Sequence, residues 1–116
     1  RNPGVVRAPS TLDLFLCDGC LVQLDAGSIL GWHGPQVRDT AFRLIEAGTA
    51  TVLASGAEDG LGQPPSLRAA RDIVAQRFGE ELARRLVERN PSRIVPAGPP
   101  APRLDPTSPA TAPAVA

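Results

Sequence analysis

Short apolar runs alternate with longer segments whose apolar residues recur every three or four positions. Cys20 to Leu24 (CLVQL) and Thr51 to Ala54 (TVLA) are brief, apolar and β-branched enough to read as buried strands. The second stops abruptly in small and acidic residues, Ser55-Gly-Ala-Glu-Asp59. A strand buried in a parallel sheet delivers its site residues in this way, at its C-terminal end. Between and after the runs the helical period takes over. Pro35 fits the first turn of a helix to about Ala47, with Val37, Ala41, Leu44 and Ile45 as its stripe and Gly48 as its stop. Ser66 begins another to about Phe78, with Leu67, Ala70, Ile73, Val74 and the stem of Arg77 facing inward. Gly79 interrupts the run, and Glu80 to Arg89 forms a further helix on Leu82, Ala83, Leu86 and Val87, closed by Asn90-Pro91.

The N-terminal segment reads differently. Arg1 to Pro9 carries Pro3, Gly4 and Pro9 and is expected to be a loop. Ser10 can cap a short helix from Thr11 to about Cys17, ended by Asp18-Gly19. Ala26 to Gly34 (AGSILGWHG) is expected to be a glycine-spaced loop. The order helix, strand, helix, strand, helix, helix predicts parallel strands with helical crossovers. Two strands alone make a poor parallel sheet, because such sheets need both faces covered and their edges paired. The segment therefore reads as the end of a barrel, and in isolation it is expected to be marginal and to self-associate through an open edge.

Composition narrows the classes. From residue 96 onward seven prolines fall within 21 residues, too poor in large apolar groups to offset their ordering entropy, so 96–116 is expected to be a disordered tail and 1–95 the folded part. Acidic and basic residues balance at twelve each without like-sign blocks, which argues against nucleic-acid or membrane partners. No apolar span of membrane length or signal peptide is present, and the expected compartment is the cytoplasm. The sequence contains no methionine, which suggests a processed product or a fragment of a larger protein.

Two small constellations carry candidate chemistry. Cys17-Asp-Gly-Cys20 has the spacing of a redox pair, but Cys17 ends a helix and Asp18 adds negative charge, and both oppose a thiolate. The alternative is two thiols without a role. Trp32 and His33 follow the first strand, either as the lining of a site with backbone N–H groups of Gly27 and Ser28 toward phosphate, or as a connector. Ser28 lacks the partners of a nucleophilic triad and reads as a cap.

Four motifs together resemble one family. Arg1-Asn2-Pro3 is similar to the end of an H-P-E-R-N-P motif, and Leu21 to Gly31 to an L-V-Q-[VL]-x-A-G-S-L-L-G segment. Leu53-Ala-Ser-Gly-Ala-Glu58 aligns with L-A-S-D-A-H, while Pro64 to Arg68 and Glu88 to Ile94 match closing helix motifs. The family is that of the bacterial capsular-polysaccharide-type tyrosine phosphatases, in the polymerase-and-histidinol-phosphatase (PHP) superfamily. The resemblance implies the terminal part of a distorted (β/α)7 barrel holding divalent metals, usually manganese, that activate water against phosphotyrosine. It also implies a phosphotyrosine protein as partner, commonly the kinase of exopolysaccharide assembly.

Carried over by position, Arg1 matches a phosphate-binding arginine. Gly56 stands where the motif has its aspartate ligand and Glu58 where it has its histidine ligand, with Asp59 adjacent. Glu58 and Asp59 are either metal ligands or solvated carboxylates of a turn. Two functions follow: a metal-dependent phosphatase-like hydrolase, inactive as this chain, or a degenerate non-catalytic relative that binds a partner.

Overall fold

A computed structural model describes residues 2–56 and 66–95. Arg1, Glu58, Asp59 and the tail 96–116 lie outside the described residues.

The chain opens with a helix where a loop was expected. The Asn2 side chain accepts the Gly4 N–H at 2.9 Å and Pro3 fills the first helical position, so α1 runs Pro3–Arg7. Cap followed by proline is a helix start, and the prolines and glycine masked it. A 3₁₀ turn, Pro9–Thr11, leads into α2, Leu12–Cys17. Thr11, not Ser10, occupies the cap position of α2, and its hydroxyl bonds back to Ala8 O at 2.6 Å. Leu12 and Leu16 are half-buried while Leu14 and Phe15 face outward.

β1, Gln23–Asp25, and β2, Val52–Ala54, pair in parallel, with Gln23 opposite Val52, Leu24 opposite Leu53 and Asp25 opposite Ala54. β1 starts three residues later than the apolar run suggested, and the expected parallel direction holds. Thr51 pins the near end of the pair. Its N–H donates to Val22 O at 2.8 Å, and its hydroxyl accepts the Val22 N–H at 3.3 Å.

Between the strands lie α3, Ala26–Leu30, and α4, Pro35–Glu46. α3 replaces the expected glycine loop. Asp25 caps it through Gly27 N, and Gly31, at φ 84°, supplies the left-handed exit that lets Trp32 N reach Gly27 O at 2.9 Å. Leu24, Ile29, Ala41, Phe42, Leu44, Ile45 and Leu53 form the core with Ala70 and Val74 of α5, Leu67–Phe78. Phe42 also carries two guanidinium groups, Arg38 at 5.3 Å and Arg77 at 4.4 Å from its ring centroid.

The last helical stretch does not stop at Asn90-Pro91. α6, Glu80–Arg84, passes through a wide turn, Arg85–Arg89, into α7, Asn90–Ile94. Asn90 N reaches back five residues to Arg85 O. Pro91 cannot donate to a carbonyl one turn earlier, and the widened turn absorbs that missing bond. Ala83 and Leu86 are buried from this stretch, and Asn90 Nδ2 donates to Thr51 O at 2.7 Å. The final helix is thereby tied to the start of β2.

Replacing Asn90 with alanine removes this bond and leaves a shielded carbonyl without its partner. Equilibrium denaturation should show a loss of about 1–3 kcal/mol. Arg93→Ala, on the exposed side of α7, should stay within about 0.5 kcal/mol.

Candidate functional site

Parallel strands present their carboxyl ends to one rim, and here that rim is built by Asp25, Ala54, Ser55 and Gly56. Asp25 is the last residue of β1 and the cap of α3, so both its position and its orientation are dictated locally. One oxygen, Oδ1, accepts the Gly27 N–H at 3.2 Å. The other, Oδ2, lies 2.9 Å from His33 Nε2, and the two side chains are only 15% and 20% exposed.

Two glycines leave room for this pair. A Cβ at Gly27 would lie 2.9 Å from His33 Nε2 and 3.0 Å from Trp32 Cε3. A Cβ at Gly56 would fall inside the van der Waals shell of Asp25 Oδ1 and 2.8 Å from its Cγ. Gly56 also has φ 63°, a conformation that L side chains rarely adopt. The Asp25 carboxylate thus occupies the volume that a side chain at 56 would enter.

Asp25 escaped the sequence reading, which passed over it as a variable position of the Leu21–Gly31 segment. The available signal was an acidic residue at the end of a strand and immediately before a small-residue helix. The linear reading favours a connector for His33 over a ligand or base; the structure brings it onto Asp25 across the turn after α3. The backbone N–H of Gly27, which one of the two readings turned toward phosphate, is committed to Asp25. Ser28 is not a cap: it lies within α3, 2% exposed, and its Oγ has no hydrogen-bond partner among the described residues.

A cleft of about 240 Å³ runs beside β1, lined by Asp25, Ser28, Asn2, Gln23 and apolar residues of α1 and α4. Arg1 and the Glu58–Asp59 pair, the other site residues suggested by the motifs, lie outside the described residues. Cys17 and Cys20 are free and exposed, at and just after the end of α2. Among the described residues no group of three or more His, Cys, Asp or Glu side chains gathers. Among the same residues no helix is long and apolar enough to cross a membrane.

Gly56→Ala should destabilise the chain by about 1–3 kcal/mol through backbone strain and the collision with Asp25. Asp25→Ser keeps an oxygen for the α3 cap and shortens the side chain. The double variant should therefore be more stable than the sum of the single losses by about 1 kcal/mol or more, in chemical denaturation.

No curated protein matches the chain. Residues 1–96 match the family described as capsular polysaccharide synthesis, CpsB/CapC. That match covers most of the sequence, including both strands and every helix of the structure, and the chain belongs to the CpsB/CapC family of capsular polysaccharide synthesis.

Proposed function

We propose that the chain is part of a metal-dependent hydrolase that removes phosphate from tyrosine in proteins during capsule or exopolysaccharide assembly. Membership of the CpsB/CapC family over residues 1–96 carries this reading. The parallel β1–β2 unit with its helical crossover supports the end of a (β/α)7 barrel, in which further strands complete the sheet. Its partner in this reading is a phosphotyrosine protein, such as the tyrosine kinase of polysaccharide assembly, met in the cytoplasm.

A divalent ion such as manganese supplies two things to this chemistry: an acidified water and charge neutralisation on the phosphoryl oxygens. The donor set on the rim is compatible with such an ion, since carboxylate oxygen and neutral imidazole both bind divalent first-row metals. Glu58 and Asp59 are proposed to add carboxylates beside it, and Arg1 to clamp the phosphate through two parallel N–H bonds. Asp25 holds and orients the imidazole of His33.

A second reading rests on Gly56. A position with left-handed backbone and no free volume has no use for a ligand side chain, which favours a degenerate relative that binds its partner without turnover. The assay that separates the two is hydrolysis of an aryl phosphate and of a phosphotyrosyl peptide, by the chain in its natural polypeptide, with manganese and with chelator. The hydrolase reading expects turnover that chelator abolishes and a Cys17→Ser, Cys20→Ser variant leaves unchanged. No turnover under either condition, with retained binding of the phosphotyrosyl peptide, would establish the binding reading instead.

A further inference from the structure

We infer that Arg85, Arg89 and Arg93 form a docking strip for an extended acidic polypeptide segment, at the end of the sheet opposite the rim. The strip stands apart from the hydrolase reading and rests on charge, alignment and shape.

The charges are largely unmatched. Arg89 pairs with Glu81, but the two side chains are 64% and 61% exposed. An ion pair so open to water contributes little and yields readily to a competing anion. Glu88, the other carboxylate of this stretch, lies 3.5 Å from Arg84. Arg85 and Arg93 have no ion-pair partner among the described residues. Like charges one helical turn apart repel, so the helix itself gains nothing from the arrangement. A cation in the last turn of a helix is favourable, which accounts for Arg93 in α7. Arg85 and Arg89 lie too far back for that effect.

The alignment comes from the wide turn. Residues four apart on an unbroken α-helix drift by about 40° around its axis, so Arg85 and Arg93 would diverge by about 80°. The turn Arg85–Arg89 bonds one residue further back, holds more residues per turn and takes out part of that drift. All three arginines line one cleft of about 300 Å³, together with Asn90.

The shape suits a chain better than a single ion. A second cleft of about 260 Å³ shares Arg85 and Asn90 and continues over Gly48, Ala50 and Leu82. Along the helix the arginines follow one another at about 6 Å. Alternate side chains of an extended strand stand on one face at about 6.7 Å. Three carboxylates at alternate positions therefore meet the three guanidinium groups nearly in step. Each planar fork can take a carboxylate through two parallel N–H bonds. A nucleic-acid duplex or a membrane surface calls for a broader basic field, whereas this chain has no net charge. Asn90 bonds Thr51 O just before β2, so the strip lies at the opposite end of that strand from Gly56. A segment held there leaves the rim open.

The test is fluorescence anisotropy of a labelled peptide with glutamate at three alternate positions, titrated at low salt with the chain in its natural polypeptide. The expected result is saturable binding that fades as salt rises toward about 1 M. Exchanging all three arginines for glutamine should weaken it about tenfold or more, and Arg85→Gln or Arg93→Gln alone about threefold. Arg43→Gln, on the exposed side of α4, should leave it unchanged.

Circular dichroism reports whether each variant is folded; if the triple variant is not, the single variants carry the test. Absence of saturable binding by the unsubstituted protein overturns the strip, as does undiminished binding in the folded variants. Equal affinity for a peptide with three consecutive glutamates overturns the match to an extended segment. Tighter binding of phosphatidylserine vesicles or duplex DNA through the same arginines overturns the polypeptide as occupant.

Discussion

The parallel contact between two three-residue strands sets where Asp25 and Gly56 meet. Leu24 opposite Leu53 buries its centre, and the same register sets Asp25 beside Ala54, two residues before Gly56. Three-residue strands contribute few hydrogen bonds, so the register is held from outside the ladder. Thr51 does much of this, donating to and accepting from Val22 and receiving the Asn90 amide on its own carbonyl. The last helix thereby supports the near end of the sheet while the site forms at the far end. Slipping β1 by one residue would turn Leu24 out of the core and take Asp25 off the rim.

Much of the fold is legible from periodicity. The stripes on α4 and α5 fall where Ala41, Leu44, Ile45, Ala70 and Val74 are buried, because long amphipathic helices against one core leave a strong signal. The parallel direction of the strands follows from the helix between them. Short elements are hidden. α1 and α3 have five residues each, too few for a period, and their glycines and prolines resemble loop punctuation. Their real signals are single caps, Asn2 before Pro3 and Asp25 before Ala26. At the other end, proline at 91 reads as a stop, although a widened turn carries the helix past it.

The candidate site was legible as a place more than as a set of residues. The end of the second strand was marked by its composition, and Gly56 by departure from a motif. What linear reading could not supply is that Gly56 lies against the Asp25 carboxylate, since the two come from different strands and meet only through the sheet register. His33 is likewise brought back by the Gly31 turn, a tertiary consequence of one left-handed residue. Gly56 therefore has two meanings at once. It removes a side chain from β2's end, and it admits one from β1.

The central claim is that the β1–β2 register places the Asp25 carboxylate, with His33 upon it, in the volume beside Gly56. Its most direct test is a crystal structure of the protein. The account predicts Asp25 opposite Ala54, its Oδ2 within hydrogen-bond distance of His33 Nε2, and Gly56 in the left-handed conformation against the carboxylate. A slipped register, or Asp25 turned away from both Gly56 and His33, would contradict it.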